Sequence, residues 1–197
     1  MLFILDRKEF TFNNKYRLYP IAEEDREDYV ELHRQVNGEN TLFKYPMVMD
    51  LMWEETINGK TKVYSIYNME GKFCGSIELQ KPTSYTPEIG IDLLESFRNK
   101  GVAPSVVPLF AKTVCKQQNV QYFKIRITAS NSHSKHVFEK LGAKFIEEEE
   151  SSYKKIMKKI IGLKEGAEEA SKLADKYEAD DEPVYVYKLS ANMEHND

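Results

Sequence analysis

Cysteine is scarce: Cys74 and Cys115 are the only two in 197 residues, too few for a disulfide scaffold. They fall in segments that read as a strand and a helix, and neither has a C-x-x-C or a His-paired spacing. Both are therefore expected to be free thiols in a reducing compartment. Long apolar runs are absent too. The apolar start Met1–Leu5 meets Asp6, Arg7, Lys8 and Glu9 at once, far short of a signal h-region or a membrane span, so a cytoplasmic chain without a membrane partner is expected. Neither sign of charge dominates. With 28 Lys and Arg against 32 Asp and Glu, the formal net charge is -4, without the clustered cationic excess that phosphate backbones recruit, and nucleic acid is not an expected partner. His33, His133, His136 and His195 show no metal-ligand spacing with Cys or with one another, and no metal is expected. The loop signatures G-x-G-x-x-G and G-x-x-x-x-G-K-[ST] are missing, and no internal repeat is visible.

What remains is an ordinary globular composition, 41% apolar and 30% charged, enough to bury a proper core in a single domain spanning 1–197. Met1–Asn14 is β-favouring and suits an extra N-terminal strand, and Tyr16–Pro20 a short one. A helix is expected from about Ala22, with acidic residues in its first turn and Tyr29, Leu32, His33 and Val36 on one face, closed by Asn37-Gly38. A second short helix, Met47–Ile57, carries Val48, Leu51, Met52 and Glu55 at helical spacing, with Trp53 beside them. Lys62–Asn68 and Lys72–Gln80 read as a hairpin around Met69-Glu70-Gly71.

The richest stretch runs from Glu88 to Thr113. Ile89, Ile91 and Leu93 alternate with Gly90, Asp92 and Leu94 as a strand does, and after Phe97 the period changes to that of a helix through Val102, Val106, Leu109, Phe110 and Val114. Between them lies Arg98-Asn99-Lys100-Gly101-Val102-Ala103, a basic turn feeding a helix N-terminus. Outward N–H groups, the helix dipole and a glycine that admits close approach make such a turn suited to a pyrophosphate. Downstream, Gln121–Thr128 is a half-buried strand, Ser130-Asn131-Ser132 offers N-cap chemistry for a helix through about Leu141, and Gly142 closes it. Ala143–Glu148 and Pro183–Leu189 are the last two strands. Residues 147–182 between them hold twelve acidic and seven basic residues, a net -5. Ile156, Ile160 and Leu163, then Ala170, Leu173, Ala174 and Tyr177, recur at helical spacing, so two amphipathic helices outside the core are expected, with a substrate lid or homodimer contact as the functional alternative.

The order of these elements, with three motifs, resembles the GNAT superfamily of acyl-CoA-dependent N-acetyltransferases. The motifs are Glu88-Ile89-Gly90-Ile91 on the central strand, Arg98-Asn99-Lys100-Gly101-Val102-Ala103 matching the family's Arg/Gln-x-x-Gly-x-Gly/Ala loop, and Asn131–Ala143. The last resembles the helix of the subgroup containing the bacterial enzymes that acetylate ribosomal-protein N-termini. The resemblance covers about 15–146 and the final strand, and leaves 147–182 outside it. It implies an α/β (α+β) fold: a mixed, mostly antiparallel central sheet flanked by helices, splayed near the Glu88 and Gln121 strands, with a helical insertion before the last strand.

It also implies an acetyl-CoA-dependent acyltransferase acting on a primary amine by direct transfer in a ternary complex. Leu93 and Leu94 would meet the pantetheine through their backbone, Arg98, Asn99, Lys100, Gly101, Val102 and Ala103 would hold the pyrophosphate, and Asn131 would meet the pantetheine from the second helix. Attack needs a neutral nitrogen. At pH 7 an α-amine is roughly a tenth neutral and a lysine only about four parts in ten thousand, so a base matters most for lysine-like acceptors. Glu88 is the first choice for that base, Glu78 the runner-up, and Asp92 a weaker candidate. Where many members carry a Tyr that protonates the leaving thiolate, this chain has Phe138, and Ser134 inherits that role from the ribosomal-protein subgroup. The resemblance implies a small-molecule or peptide amine as acceptor. A catalytically silent acyl-CoA-binding sensor is the competing class.

Overall fold

The computed structural model describes residues 8–37, 46–150 and 182–191. The chain divides into two compact units, Met1–Lys124 with Ser190–Asp197, and Ile125–Leu189.

In the first unit, period-2 alternation gives strands β1 (Thr11–Phe12), β2 (Tyr16–Pro20), β3 (Lys62–Asn68), β4 (Phe73–Gln80) and β5 (Glu88–Leu93), which pair antiparallel in chain order. The β3–β4 turn closes as its composition predicts: Asn68 Oδ1 accepts from the N–H groups of Glu70 (3.0 Å) and Lys72 (2.9 Å), and Gly71 takes the left-handed conformation at φ 79°. A bulge between Ile66 and Tyr67 brings β4 to Gly75, whose φ is 152° and where a Cβ would stand 2.1 Å from the Asp92 carbonyl oxygen; only glycine fits. On its far side β5 takes up β6 (Tyr122–Thr128) in parallel register at Glu88 and Lys124, where Lys124 N–H donates to the Pro87 carbonyl at 2.9 Å.

The pairing register sorts this sheet into two faces. Leu18, Tyr64, Ile66, Ile77, Leu79, Ile89, Ile91 and Leu93 share one, because directly opposed residues project to the same side. Helix α3 (Val102–Gln117) covers that face, burying Val102, Val106, Val107, Phe110, Ala111 and Val114, with the Phe110 ring 5.3 Å from Tyr64. Each such side chain contributes about 1.5–3 kcal/mol by leaving water. The opposite face carries Tyr19, Val63, Ser65, Ser76, Glu78, Gln80, Glu88, Gly90 and Asp92, and takes α1 (Arg26–Asn37) and α2 (Pro46–Asn58). Asp25, in the 3-10 turn that leads into α1, is fully buried and accepts from Ser65 Oγ (2.6 Å), Tyr67 Oη (2.5 Å) and Ala22 N–H (3.0 Å).

The second unit holds the rest of β6, α4 (Ser132–Lys140), β7 (Lys144–Glu149) and β8 (Val184–Ser190) up to Leu189, with strand order β6-β8-β7 and β7 antiparallel to β8 from Lys144–Lys188 to Glu149–Val184. Its buried apolar residues are Ile125, Ile127, Phe138, Ala143, Val184, Val186, Tyr187 and Leu189. Gly142 ends α4 at φ 86°, and the Ala143 N–H returns to the Phe138 carbonyl at 2.9 Å.

The expected mixed, mostly antiparallel α/β fold with flanking helices is the one observed, with a few local corrections. Val36 and Leu51 are 40% and 65% exposed, not on buried faces. In α2 the pair Met49 and Trp53, one turn apart, faces inward instead, and Trp53 Nε1 donates to Glu23 Oε2 at 3.1 Å. The strand expected over 1–14 is only Thr11–Phe12 among the described residues. At the other boundary β7 runs on to Glu149, so it takes the first residues assigned to the charged insertion. The two helices expected around Ile156–Leu163 and Ala170–Tyr177 lie outside the described residues.

Asp25→Ala strands the Ser65 and Tyr67 hydroxyls in the core and should lower unfolding stability by about 3 kcal/mol, read from urea titrations. Burial pushes the His33 imidazole down to about 4. Between that value and its unfolded pKa near 6.5 the unfolded chain binds the extra proton, so His33 costs stability as pH falls through this window. Relative to His33→Gln, the wild type should lose about 2 kcal/mol more between pH 7 and pH 5.

Candidate active site

The register of β4 against β5 assembles the acidic residues. Gln80 lies opposite Glu88, Glu78 opposite Gly90 and Ser76 opposite Asp92, all on the α1 side of the sheet. Glu78 is thus the diagonal neighbour of both Glu88 and Asp92, across the one strand position without a side chain. Its carboxylate lies over that glycine: a Cβ built on Gly90 would meet Glu78 Oε1 at 2.6 Å and Cγ at 2.9 Å. Gln80 Nε2 fixes the same oxygen at 2.6 Å. Glu78 and Asp92 are half-buried, whereas Glu88 is 7% exposed.

Burial raises the Glu78 carboxyl above the ordinary carboxylate range; the Gln80 hydrogen bond opposes the rise and the Asp92 charge adds to it. Burial likewise raises Asp92, against the pull of the Arg98 guanidinium. From α1, Tyr29 Oη accepts from Thr56 Oγ1 at 3.2 Å, and its ring meets Trp53 at 5.7 Å and His33 at 4.4 Å between centroids. Burial, with the nearby charges of Glu78 and Asp92, pushes the Tyr29 phenol up to about 12, so it keeps its proton. Sequence reasoning placed Tyr29 on a helix face and Gly90 in the strand motif but gave neither a part in the site. The signal for Gly90 was there in Glu88-x-Gly90-x-Asp92, a glycine inside a strand between two acidic residues, which marks a close approach.

The outer edge of β5 leads from these carboxylates to the basic turn. Leu94 N–H donates to the Cys74 carbonyl (3.0 Å) and Leu94 O accepts from Phe97 N–H (2.8 Å), so both backbone groups of Leu94 are engaged. In an antiparallel ladder the groups alternate in direction, so Ile91 and Leu93 turn theirs outward, away from β4. Along that side β6 is in parallel register with β5 at Glu88 and Lys124. The Leu93 carbonyl accepts from Arg98 Nε at 3.0 Å. Next, Asn99 (φ 59°) and Gly101 (φ 75°) turn the chain sharply into α3. Arg98, Asn99, Lys100 and Gly101 are exposed, and a Cβ on Gly101 would meet nothing within 4 Å. The first helical bond runs from Ser105 N–H to Gly101 O at 3.2 Å; Val102 and Ala103 therefore present N–H groups outside the helical ladder, and Pro104 has none to lose. The turn has the free donors, positive end of a dipole and open approach that a phosphate ester needs.

In the second unit, Asn131 Oδ1 caps α4 by accepting from Ser134 N–H at 2.9 Å. Ser134 is half-buried, Phe138 is 3% exposed core, and His133 and His136 face solvent. Lys135 Nζ donates to the Ala129 carbonyl at 2.7 Å and lies 5.2 Å over the Tyr185 ring. Cys74 and Cys115 are free thiols, and no group of three or more His, Cys, Asp or Glu among the described residues could hold a metal ion. Among those residues no helix is long and apolar enough to cross a membrane.

Comparison with solved structures finds this fold elsewhere. Spermidine N-acetyltransferase from Vibrio cholerae, in complex with CoA and spermine, superposes with a TM-score of 0.64 at 11% identity, over 92% of this chain and 98% of that one. A dodecameric structure of that enzyme in an intermediate state gives 0.63 at 12% identity, over 91% and 95%. A protein described as a phosphinothricin N-acetyltransferase gives 0.60 at 14% identity, over 89% and 98%. No curated protein matches the sequence. The family model described as "Acetyltransferase (GNAT) domain" matches residues 15–144, about two thirds of the sequence. The chain belongs to the GNAT family of acetyl-CoA-dependent acetyltransferases.

Proposed function

We propose that this protein transfers the acetyl group of acetyl-CoA to a primary amine by direct attack in a ternary complex. The observation that carries the reading is the continuity, within one unit, of a phosphate-suited turn at Arg98–Ala103, an outward β5 edge and a face of carboxylates at its end. The pantetheine arm carries amides and can pair with outward Leu93 and Ile91 groups as another strand would. A thioester carbonyl brought along that edge would lie toward the carboxylates, where an ammonium is attracted and can be deprotonated. For Asn131 and Ser134 of α4 the family resemblance alone supplies the roles, Asn131 toward the pantetheine and Ser134 as the relay through which the thiolate gains its proton.

A small polycationic amine is the first acceptor to test. The acidic face favours cations, and the superposed Vibrio enzyme is named for such a substrate. A protein N-terminus is the second, supported by the Asn131–Ala143 motif and its resemblance to the ribosomal-protein subgroup. Two free cysteines suit a cytoplasmic setting, and a homodimer or larger assembly fits the dodecameric relative.

Thioester consumption is measured with spermidine, N-terminal peptides, aminoglycosides and lysine peptides. Turnover on one class is expected, while CoA binding without turnover on any amine would favour a sensor. Gly101→Ala costs about 1 kcal/mol of stability through its left-handed backbone, and the added methyl stands where the phosphate would approach. CoA affinity by calorimetry should fall about tenfold, a loss of ~1.4 kcal/mol.

A further inference from the structure

We propose that Glu78, laid across the bare Cα of Gly90, is the catalytic base that takes the proton from the incoming amine, with Gly90 and Asp92 as its positioning residues. The assignment rests on the acetyl-transfer reading above. Glu88, the natural choice from its place at the start of β5, is buried at the point where β6 pairs with that strand. Glu78 instead reaches over β5 at Gly90, beside the outward edge formed by Ile91 and Leu93. The Gln80 amide holds its Oε1, which fixes the carboxylate's direction.

The groups around Glu78 are Asp92 and Glu88 diagonally across β5, Val63 opposite it on β3, Gln80 on its own strand, and Tyr29 from α1. His33, Trp53 and Thr56 stand behind Tyr29, and Arg98 acts on Asp92. Burial and the Asp92 charge both strengthen the hold of Glu78 on a proton. A carboxylate so placed is a better base toward an ammonium near neutral pH than an exposed one.

The step balances. Glu78 takes one proton from the ammonium, and the freed lone pair forms the C–N bond at the thioester carbonyl. The C–S bond breaks with its electron pair on sulfur, the second nitrogen proton ends on that thiolate, and Glu78 returns its own proton to water. Gly90 is required because any side chain there collides with the seated carboxylate. The collision is with a flexible side chain, so Gly90→Ala should fold and displace Glu78.

The test follows kcat against pH with saturating acetyl-CoA and the best amine of the panel, for wild type, Glu78→Gln, Gly90→Ala, Asp92→Asn and Glu88→Gln, with thermal unfolding and CoA affinity in parallel. Glu78→Gln should lower kcat about a hundredfold with CoA affinity kept. Gly90→Ala should lower it about tenfold with an unaltered melting temperature. Asp92→Asn removes a like charge, so the acid limb should move to lower pH, and the limb should persist in Glu88→Gln. A wild-type rate in Glu78→Gln, or an acid limb lost in Glu88→Gln and kept in Glu78→Gln, overturns the assignment while acetyl transfer stands. CoA binding without turnover in the wild type defeats the acetyl-transfer reading, and the assignment falls with it.

Discussion

Antiparallel register between β4 and β5 is the constraint on which the rest of the site depends. Because side chains alternate with a period of two, a slip of β5 by one residue would send Glu88 and Asp92 to the α3 side, away from Glu78, and bring Ile89 and Ile91 to the α1 side in their place. The close approach at Gly75 holds that register, since β4 and β5 come together there only without a side chain. Two glycines, Gly75 and Gly90, thus mark where β4 and β5 must meet for one face of the sheet to be chemical.

The same sheet is divided in its energetics. Its α3 face is sealed by Val106, Val107, Phe110 and Ala111, all fully buried, and stabilises the fold by plain apolar burial. Its α1 face mixes aromatics with titratable groups: Tyr29 and His33 are held neutral, Glu78 and Asp92 are pushed toward their neutral forms, and the Asp25 carboxyl is saturated with hydrogen bonds. Each of these groups costs desolvation. A sheet with one purely apolar face can carry such a layer on the other.

Legibility in the sequence followed the range of the interaction. The alternation of Glu88–Leu93, the period change into α3, the Asn131 cap and the Gly142 stop are local, and each element lies within a few residues of where the pattern put it. For α2 the spacing gave a helix without an inward face, because Val48, Leu51 and Met52 are as apolar as Met49 and Trp53; what turns Trp53 inward, with Met52 beside it, is the Tyr29 and Val63 surface, which is tertiary. The carboxylates were all noticed one by one. Their grouping around Gly90 was not, because pairing between Glu78 and Gly90 joins positions in different strands and periodicity within one strand says nothing of it. The GNAT family itself was legible, since it rests on motifs contiguous in sequence.

Arg98 ties the two ends of the site together. Its Nε satisfies the Leu93 carbonyl, its position opens the turn into α3, and its charge lowers the proton affinity of Asp92 against the effect of burial. Were Arg98 absent, Asp92 would be driven further toward its protonated form, and a neutral Asp92 would no longer raise its neighbour Glu78. A single exposed guanidinium therefore favours the charged form of the half-buried Asp92, and it does so from the basic turn into α3. In the proposed reading, holding the cofactor and favouring a charged carboxylate would be two functions of one side chain, joined through a carbonyl at the end of β5.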